Sequence, residues 1–296
     1  MIKNLFPGFR IVCSGMIVLL LACHTAKDNN DISLPFQSIP LSKKLVPGVL
    51  DEASGIADSK STPGYLWVEQ DSGNPNDIAL LSDSGSLLKK INIRAAVNRD
   101  WEDLALANGP IAGTNYLYIA NTGDNNGAYT QYSILRFPEP SSIVDTVSVY
   151  DELKFQYPDG PHDAEAILVD NAAKDIYVIT KRDAVSRIYK LVYPQSISGV
   201  STAVYAGSLP FTGVTGAASS STGELMVKTY TGIYYWKRSS GEAIEQALTR
   251  DPVMLGYQQE VQGEAICFKN DNSGFYTLSE RPNAIASVNL DFYRRL

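Results

Sequence analysis

Apolar and polar positions along the chain repeat one pattern five times. Each repeat begins with a strand-length run of small and apolar residues, turns, and continues into an aromatic-rich second strand that ends in a polar loop. The first runs are residues 53–57, 101–105, 164–168, 215–219 and 263–267. They recur about every 50 residues, and no helical periodicity of comparable length competes with them. The pattern therefore predicts an all-β repeat architecture.

Further strands are predicted after these pairs. Third strands are expected at residues 186–191 and 232–236, and fourth strands at 148–156 and 204–209. Units of about 50 residues with three or four strands are typical of a β-propeller, so five units predict five blades, with six as the alternative. The last unit lacks a fourth strand, because the chain stops at Leu296 after a strand expected at 285–290. Residues 36–46 are strand-like, and we expect them to close the ring.

The first strands of a propeller line its central channel, so their polar residues meet near the axis. In the aligned repeats, the second positions are Ser54, Glu102, Glu165, Gly216 and Glu264. Three carboxylates so near to one another cannot easily all be ionised unless a cation neutralises them. Ca²⁺ accepts irregular sets of six to eight oxygen ligands. The sequence therefore predicts a Ca²⁺ site.

The predicted ligands are Ser54, Glu102, Glu165 and Glu264. Gly216 offers no side-chain oxygen, and Thr215 or a backbone carbonyl is the expected substitute. In two alternative interpretations the glutamates hydrogen-bond to neighbouring amides or pair with basic loop residues. Those basic residues are Lys181, Arg182, Lys228 and Arg281.

Polar loops after the second strands are expected to surround the mouth of the channel. Residues there that could bind an anion such as a phosphate, a carboxylate or an acidic sugar are Lys181, Arg182, Lys228, Arg281, Asp71, Asp124 and Asn125. The alternative is that these side chains form local ion pairs at the surface. Both interpretations remain open at this point.

Catalytic motifs are missing from the sequence: it has no nucleophile elbow, no phosphate-binding glycine loop and no dinucleotide fingerprint. His162, beside Asp163, is the one histidine within the repeats and a weak candidate for a general base. A lone histidine beside an aspartate more often has a structural role. Whether the protein is an enzyme stays open.

The amino-acid composition limits the classes of ligand and partner that the protein can be expected to bind. The 25 Lys and Arg against 32 Asp and Glu give a net charge of −7, which argues against general nucleic-acid binding. Three cysteines and two histidines leave little room for a disulfide framework or a zinc site. Cys267 follows Ile266 in an apolar run, and we expect it to be a small core residue.

The N-terminus has the features of an export signal. Lys3 and Arg10 precede an apolar stretch at residues 11–22, which is shorter than the roughly 20 residues that span a membrane. Its end, Leu20-Leu21-Ala22-Cys23, resembles the lipobox of bacterial lipoproteins. The resemblance implies cleavage before Cys23 and lipidation of its thiol, with palmitate among the acyl groups.

The expected organisation is therefore a signal peptide at residues 1–22, a lipidated Cys23 with a flexible tether to residue 35, and a single propeller domain at 36–296. We expect a monomer in the bacterial cell envelope, held to a membrane, most simply the outer membrane, through the lipid alone. Its periplasmic or surface orientation is not specified by the sequence.

Two family resemblances support this interpretation. The first rests on Asp100-Trp-Glu-Asp-Leu-Ala, Gly123-Asp-Asn, Tyr157-Pro-Asp-Gly-Pro-His-Asp-Ala-Glu-Ala and Thr180-Lys-Arg. These motifs, over about residues 99–190, resemble a family of secreted or lipid-anchored bacterial β-propellers, which implies fold and location only.

The second resemblance concerns the axial pattern. Its order of Ser, Glu, Glu, a small residue and Glu is similar to that of soluble calcium-activated nucleotidases (apyrases), which are five-bladed propellers with a central Ca²⁺. The resemblance implies the same four Ca²⁺ ligands and departs from the family at Gly216. The catalytic segments of those enzymes have no match here, so the resemblance does not imply their activity.

Three functions remain open. The first is a binding module whose polar funnel holds an anionic small molecule, a glycan or an envelope protein, with Ca²⁺ at its base. The second is a Ca²⁺-dependent hydrolase of phosphate esters or anhydrides. The third is an interaction protein with a purely structural ion. The fold alone does not choose between them.

Overall fold

Twenty-two β-strands and one five-residue helix are present in the part of the chain that the computed structural model describes, namely residues 1, 34–283 and 287–296. Residues 34–296 form one of two units into which the chain divides. The expected signal peptide, Cys23 and most of the tether lie outside the described residues, apart from Met1. Among the helices of the described part, none has the length and apolarity needed to cross a membrane.

The strands form five sheets, each an antiparallel meander of four main strands. Blade 1 contains β2 (Ala53–Asp58), β3 (Tyr65–Gln70), β4 (Asp77–Ser82) and β5 (Leu87–Ile93). Blade 2 contains β6 (Trp101–Asn108), β7 (Asn115–Asn121), β8 (Tyr132–Pro138) and β10 (Asp151–Gln156). Blade 3 contains β11 (Ala164–Val169), β12 (Ile176–Thr180), β13 (Arg187–Leu191) and β15 (Val204–Ser208). Blade 4 contains β16 (Val214–Ser219), β17 (Glu224–Thr229), β18 (Gly232–Lys237) and β19 (Val253–Met254). Blade 5 contains β20 (Gly263–Phe268), β21 (Gly274–Ser279), β22 (Asn289–Arg294) and β1 (Leu41–Lys44).

This arrangement confirms the five-bladed propeller and its closure by an N-terminal strand. β1 pairs antiparallel with β22, with Leu41 opposite Phe292 and Lys44 opposite Asn289. A further bridge joins Phe36 to Arg295. Of the strand expected at residues 285–290, residues 285 and 286 lie outside the described part, residues 287 and 288 are not in a strand, and β22 begins at Asn289.

Three short elements were not predicted. β9 (Thr146–Val147) extends blade 1 by pairing in parallel with β5, and β14 (Ser201–Thr202) extends blade 2 by pairing in parallel with β10. Both cover an outer edge that would otherwise expose unpaired backbone groups. The helix α1 (Ile244–Leu248) lies between β18 and β19 and packs its apolar side into the interface of blades 3 and 4.

The hydrophobic core is divided into five clusters, and each lies between two neighbouring blades. Aromatic side chains of the second strands enter these clusters, as Trp67 does between blades 1 and 2. Trp101 is fully buried in the same cluster, which agrees with a packing role. Cys267 is a buried free thiol between blades 1 and 5. The blades are thus held together mainly by apolar burial.

The first strands β2, β6, β11, β16 and β20 contact one another in a closed ring around the axis. They are buried over almost their whole length. Loops that enter these strands and loops that leave the second strands share one end of the ring. That end carries most of the predicted site residues.

Candidate metal centre

Each first strand carries a β-bulge near its start, where one residue has no partner in the second strand. The bulged residues are Ser54, Glu102, Glu165, Thr215 and Glu264. The alignment that placed Gly216 in this set is therefore off by one residue in blade 4. All five bulged positions carry a side-chain oxygen.

The correction at Gly216 has a steric reason. Gly216 occupies the position that Gly55 occupies in blade 1, one residue beyond the bulge. A Cβ at Gly216 would lie 2.4 Å from the backbone oxygen of Glu264, and one at Gly55 would lie 2.3 Å from the backbone nitrogen of Leu104. Neighbouring first strands approach so closely there that these two positions need glycine.

Five carboxylates at the entrance of the ring form two groups that share Glu102. One group contains Glu102, Asp163 and Glu165, and the other contains Asp71, Asp100 and Glu102. Within each group, one ligand atom per residue lies within 4.8 Å of the others. Because Ca²⁺–oxygen bonds are about 2.3–2.6 Å long, two ligands of one ion are at most about 5 Å apart. Each group therefore has the spacing that one metal ion needs.

Of the four predicted metal ligands, the structure brings Glu102 and Glu165 together and leaves Ser54 and Glu264 outside the two groups. The Ser54 hydroxyl donates to Glu280 at 2.9 Å and approaches Glu264 at 3.4 Å. Glu264 also accepts a hydrogen bond from the Tyr230 hydroxyl at 2.5 Å. The acidic cluster thus supports a possible metal site, and the identity of the metal stays a prediction.

Burial makes these carboxylates hard to ionise together. Burial, reinforced by Glu165 and Asp71, raises the pKa of Glu102 well above its ordinary value. Burial also raises the pKa of Glu165 to about 8, although Lys181 opposes this, and that of Asp71 to about 7. Glu280 has its pKa raised to about 9, again mainly by burial. A bound divalent cation would favour the ionised forms of all these groups.

Lys181 pairs with axial glutamates, as one of the alternative interpretations of the sequence expects. Its ammonium hydrogen-bonds to Glu165, contacts the Tyr230 hydroxyl at 3.0 Å and lies 3.5 Å from Glu264. Burial opposes its charge, but Glu165 and Glu264 raise the pKa of Lys181 above its ordinary value. Glu165 is therefore partly neutralised within the protein. Glu102, by contrast, accepts no hydrogen bond or ion pair from residues 34–283 or 287–296.

The other predicted anion-binding bases also have carboxylate partners. Lys228 is fully buried with its Nζ 3.1 Å from Glu260, and the Arg281 Nε lies 2.7 Å from Asp51. Arg182 contacts Asp163 at 2.6 Å, yet its side chain is 53% exposed. Local ion pairs therefore engage all four bases, and Arg182 is the one that reaches the surface.

The predicted polar ligands of the loop after β7 have structural partners. Asp124 accepts the backbone amides of Ala128 at 2.7 Å and Tyr129 at 3.0 Å. Burial opposes ionisation here, but these hydrogen bonds hold the pKa of Asp124 below its ordinary value. Asn125 hydrogen-bonds to Arg182 at the surface. Asp124 thus organises its own loop, and Asn125 positions the exposed arginine.

His162 is held on both sides of its ring. One ring nitrogen lies 3.2 Å from an oxygen of Asp183, and the other lies 2.9 Å from the Tyr189 hydroxyl and 3.2 Å from Asp159. Its neighbour Asp163 instead accepts the Asp124 amide at 2.7 Å. The two sequence neighbours therefore contact different groups, and Asp163 is the one that belongs to the candidate metal centre, the cluster of Asp71, Asp100, Glu102, Asp163 and Glu165.

Sequence analysis missed several acidic residues of this region. Glu69 is fully buried, and neither of its carboxylate oxygens has a hydrogen-bond partner among the described residues. Asp103 lies between three blades and accepts the amides of Leu104 and Ile167 at 2.8 Å and of Ala217 at 3.4 Å. The available signal was a charged residue inside an otherwise apolar strand.

Comparisons with known proteins identify no family for this chain. No protein-family profile and no curated protein matches the chain. Similar solved structures include hydrazine synthase of Kuenenia stuttgartiensis, with 13% identity and a TM-score of 0.41, for which 79% of this chain matches 57% of that chain. A nidogen/laminin complex has 12% identity and a TM-score of 0.47, with 81% and 75% covered. The RRP9 WD40 repeats have 11% identity and a TM-score of 0.44, with 88% and 100% covered.

These likenesses concern the fold alone. The assignment of a β-propeller rests on the five sheets of this chain itself. The chain spans little more than half of the hydrazine synthase chain. The two family resemblances stated from sequence motifs stay predictions.

Proposed function

We propose that this protein is a Ca²⁺-binding β-propeller that captures an anionic ligand at the mouth of its channel. The observation that carries the proposal is the buried group of Glu102, Asp163 and Glu165, whose oxygens lie within 4.8 Å of one another. Buried carboxylates at this spacing need protons or a cation. A cation is the simpler solution, because it satisfies several oxygens at once.

The chemistry of the ligands favours Ca²⁺. Both groups of the metal centre consist of carboxylates, and neither includes a histidine or a cysteine. Hard oxygen ligands suit Ca²⁺ and Mg²⁺ rather than zinc or copper. The ligands come from loops and bulges of different blades, and Ca²⁺ tolerates such irregular geometry better than Mg²⁺, which demands a near-ideal octahedron.

Anion capture would use the cation together with Arg182. Asp71 and Asp100 are only half-buried, so the centre is accessible from the end of the ring that carries the loops. Arg182 is half exposed beside Asp163, and its planar guanidinium suits phosphate and carboxylate groups. The expected ligand is a phosphate, a carboxylate or an acidic sugar, borne by a small molecule, a glycan or an envelope protein.

Calorimetric titration of the purified, chelator-treated protein with CaCl₂ tests the cation. We expect saturable binding that Glu165→Gln weakens at least tenfold. Asp83→Asn, a change of an exposed turn residue, is the matched control and should bind as the wild type does. If the protein binds neither Ca²⁺ nor Mg²⁺, the proposal is refuted.

Anion capture has its own test. Inorganic phosphate and glucuronate are titrated into the protein with Ca²⁺ or with chelator. Capture should require Ca²⁺ and be lost in Arg182→Ala, although this variant should still bind Ca²⁺. Ca²⁺ binding without capture would leave a purely structural ion. Release of phosphate from a nucleoside diphosphate or a phosphate ester would instead favour the hydrolase.

We also propose that the protein is a lipoprotein of the bacterial envelope, anchored through Cys23. The support is the sequence at the end of the apolar N-terminal stretch. Cys23→Ser should abolish metabolic labelling with palmitate and release the protein from membranes. Labelling that survives this substitution would refute the anchor.

A further inference from the structure

Glu102 belongs to both carboxylate groups of the metal centre. We propose that the centre holds two divalent cations bridged by Glu102, the first bound with Asp163 and Glu165 and the second bound with Asp71 and Asp100. The first cation is that of the proposed function, so this inference rests on it. The second cation is the new site.

Glu102 is suited to bridge two cations because its carboxylate oxygens are not engaged by any described residue. Its side chain is almost completely buried, with 4% exposed. No residue in the described part of the chain donates a hydrogen bond to its carboxylate or forms an ion pair with it. An ionised carboxylate offers about four lone-pair directions on two oxygens, enough for one cation on each side.

Charge distinguishes the second group from the first. In the first group, Lys181 pairs with Glu165 and Arg182 pairs with Asp163. In the second group, no Lys, Arg or His among the described residues forms an ion pair with Asp71, Asp100 or Glu102. The group with no basic partner therefore has the greater need for a cation.

The backbone is shaped to let the second group converge. Gly123 lies so close to it that a Cβ there would be 2.0 Å from Glu102 Oε1 and 2.4 Å from Asp100 Oδ2. The Asp100 carboxylate, like that of Glu102, accepts no hydrogen bond within the described ranges. A glycine at this position thus leaves space for two carboxylates to approach one point without donors between them.

Two bridged cations would narrow the class of anion that the protein is expected to bind. An oxyanion such as phosphate can place one oxygen on each cation, as in centres with paired metals. Among the anions of the proposed function, this favours phosphate over a lone carboxylate. Arg182, bound to Asp163 beside the first cation, would contact a further oxygen.

Stoichiometry tests the second cation. Calorimetry with CaCl₂ and elemental analysis of the dialysed protein should both give two Ca²⁺ per wild-type chain. Asp100→Asn should reduce this to one, and so should Glu165→Gln, each through a different site. Glu102→Gln should weaken both sites at least tenfold. The exposed Asp83→Asn should retain two.

The outcomes separate this inference from the proposed function. One Ca²⁺ per wild-type chain, unaffected by Asp100→Asn, would overturn the second cation and leave the first. No binding at all would overturn both. Two Ca²⁺ that survive Glu102→Gln with unchanged affinity would overturn the bridge. Should Glu102→Gln fail to fold by circular dichroism, Asp100→Asn decides whether the second cation binds, because its carboxylate has no hydrogen-bond or ion-pair partner to lose among the described residues.

Discussion

Gly123 follows β7 and lies against two carboxylates of the metal centre. A Cβ at this position would come within 2.0 Å of Glu102 and 2.4 Å of Asp100, far inside van der Waals contact. The neighbouring atoms belong to side chains, so Gly123→Ala can fold if both carboxylates move aside. The cost in stability should be about 1–3 kcal/mol, the usual range for overpacking.

Displaced carboxylates no longer converge on one ion, so we expect Gly123→Ala to weaken Ca²⁺ binding at least tenfold in a calorimetric titration. Gly199→Ala is the matched control, because its new Cβ would meet only the Ser196 hydroxyl at 3.8 Å. Equal Ca²⁺ affinity in both variants would show that Glu102 and Asp100 do not converge on a cation.

Asp58 offers a pH-dependent test away from the metal centre. Burial raises its pKa to about 6, although the Asn270 amide, which donates to it at 2.7 Å, opposes the shift. The folded state binds the Asp58 proton more tightly than the unfolded state does. The protonated carboxyl therefore contributes its full stabilisation of the folded protein below about pH 4. This stabilisation is lost as the pH rises through about 6.

In Asp58→Asn the side chain can still accept the Asn270 amide but does not titrate. The stability of this variant relative to the wild type should therefore rise between pH 4 and pH 7, by on the order of 2 kcal/mol. Urea unfolding at the two pH values, in chelator, measures the difference. Parallel pH profiles for the two proteins would contradict the prediction.

Individual site residues were only partly predictable from the sequence. The repeat register identified Glu102 and Glu165, because both lie at the same position of a recognisable strand. It misplaced Gly216, because the apolar Val214 and the small residues after Thr215 fit the pattern of small and apolar residues in either register. It gave no account of Glu69, since burial of a charged side chain depends on neighbouring blades that the local sequence does not reveal.

At the level of elements, main strands were far more predictable than short additions. The second strands β7 and β12 are aromatic and β-branched, and their burial between blades requires that composition. The two-residue strands β9 and β14 exist only because an edge of another blade lies beside them. No periodic pattern can specify a pairing that short.

Phe36 anchors the closing segment of the ring. It is 2% exposed, packs edge-on against Phe275 with centroids 5.0 Å apart, and lies under the Arg295 guanidinium at 4.5 Å. Phe36→Ala should destabilise the protein by about 3–5 kcal/mol, because it opens a cavity between blades 4 and 5. Ile39→Ala, at a 77% exposed position, should change stability by less than about 0.5 kcal/mol.

Truncation tests the same closure independently. Deleting residues 24–46 removes β1 and leaves β22 as an open edge, so severe destabilisation is expected. Deleting residues 24–33 should be nearly neutral, as expected for a tether. Equal melting temperatures for the two truncated proteins would refute a closing role for this segment.

In the whole molecule, the carboxylates of the candidate metal centre come from blades that are distant in sequence. Asp71 follows the second strand of blade 1, Glu102 lies in blade 2 and Glu165 lies in blade 3. Asp103 makes a parallel connection through amides of blades 2, 3 and 4, and burial raises its pKa to about 8. Cations bound by the two carboxylate groups would therefore together link blades 1, 2 and 3.

Stability of the whole propeller should consequently depend on Ca²⁺ by mass action. At a free concentration of 100 times Kd, binding to the folded state contributes about 2.7 kcal/mol. For a domain of this size, that corresponds to a rise in melting temperature of about 5–10 °C. Scanning calorimetry with Ca²⁺ and with chelator measures the rise, which Glu165→Gln should reduce by weakening the first cation's site and Asp83→Asn should retain. A melting temperature indifferent to Ca²⁺, Mg²⁺ and chelator would mean that protons and Lys181 alone neutralise these carboxylates, because a ligand bound across blades cannot leave their unfolding unchanged.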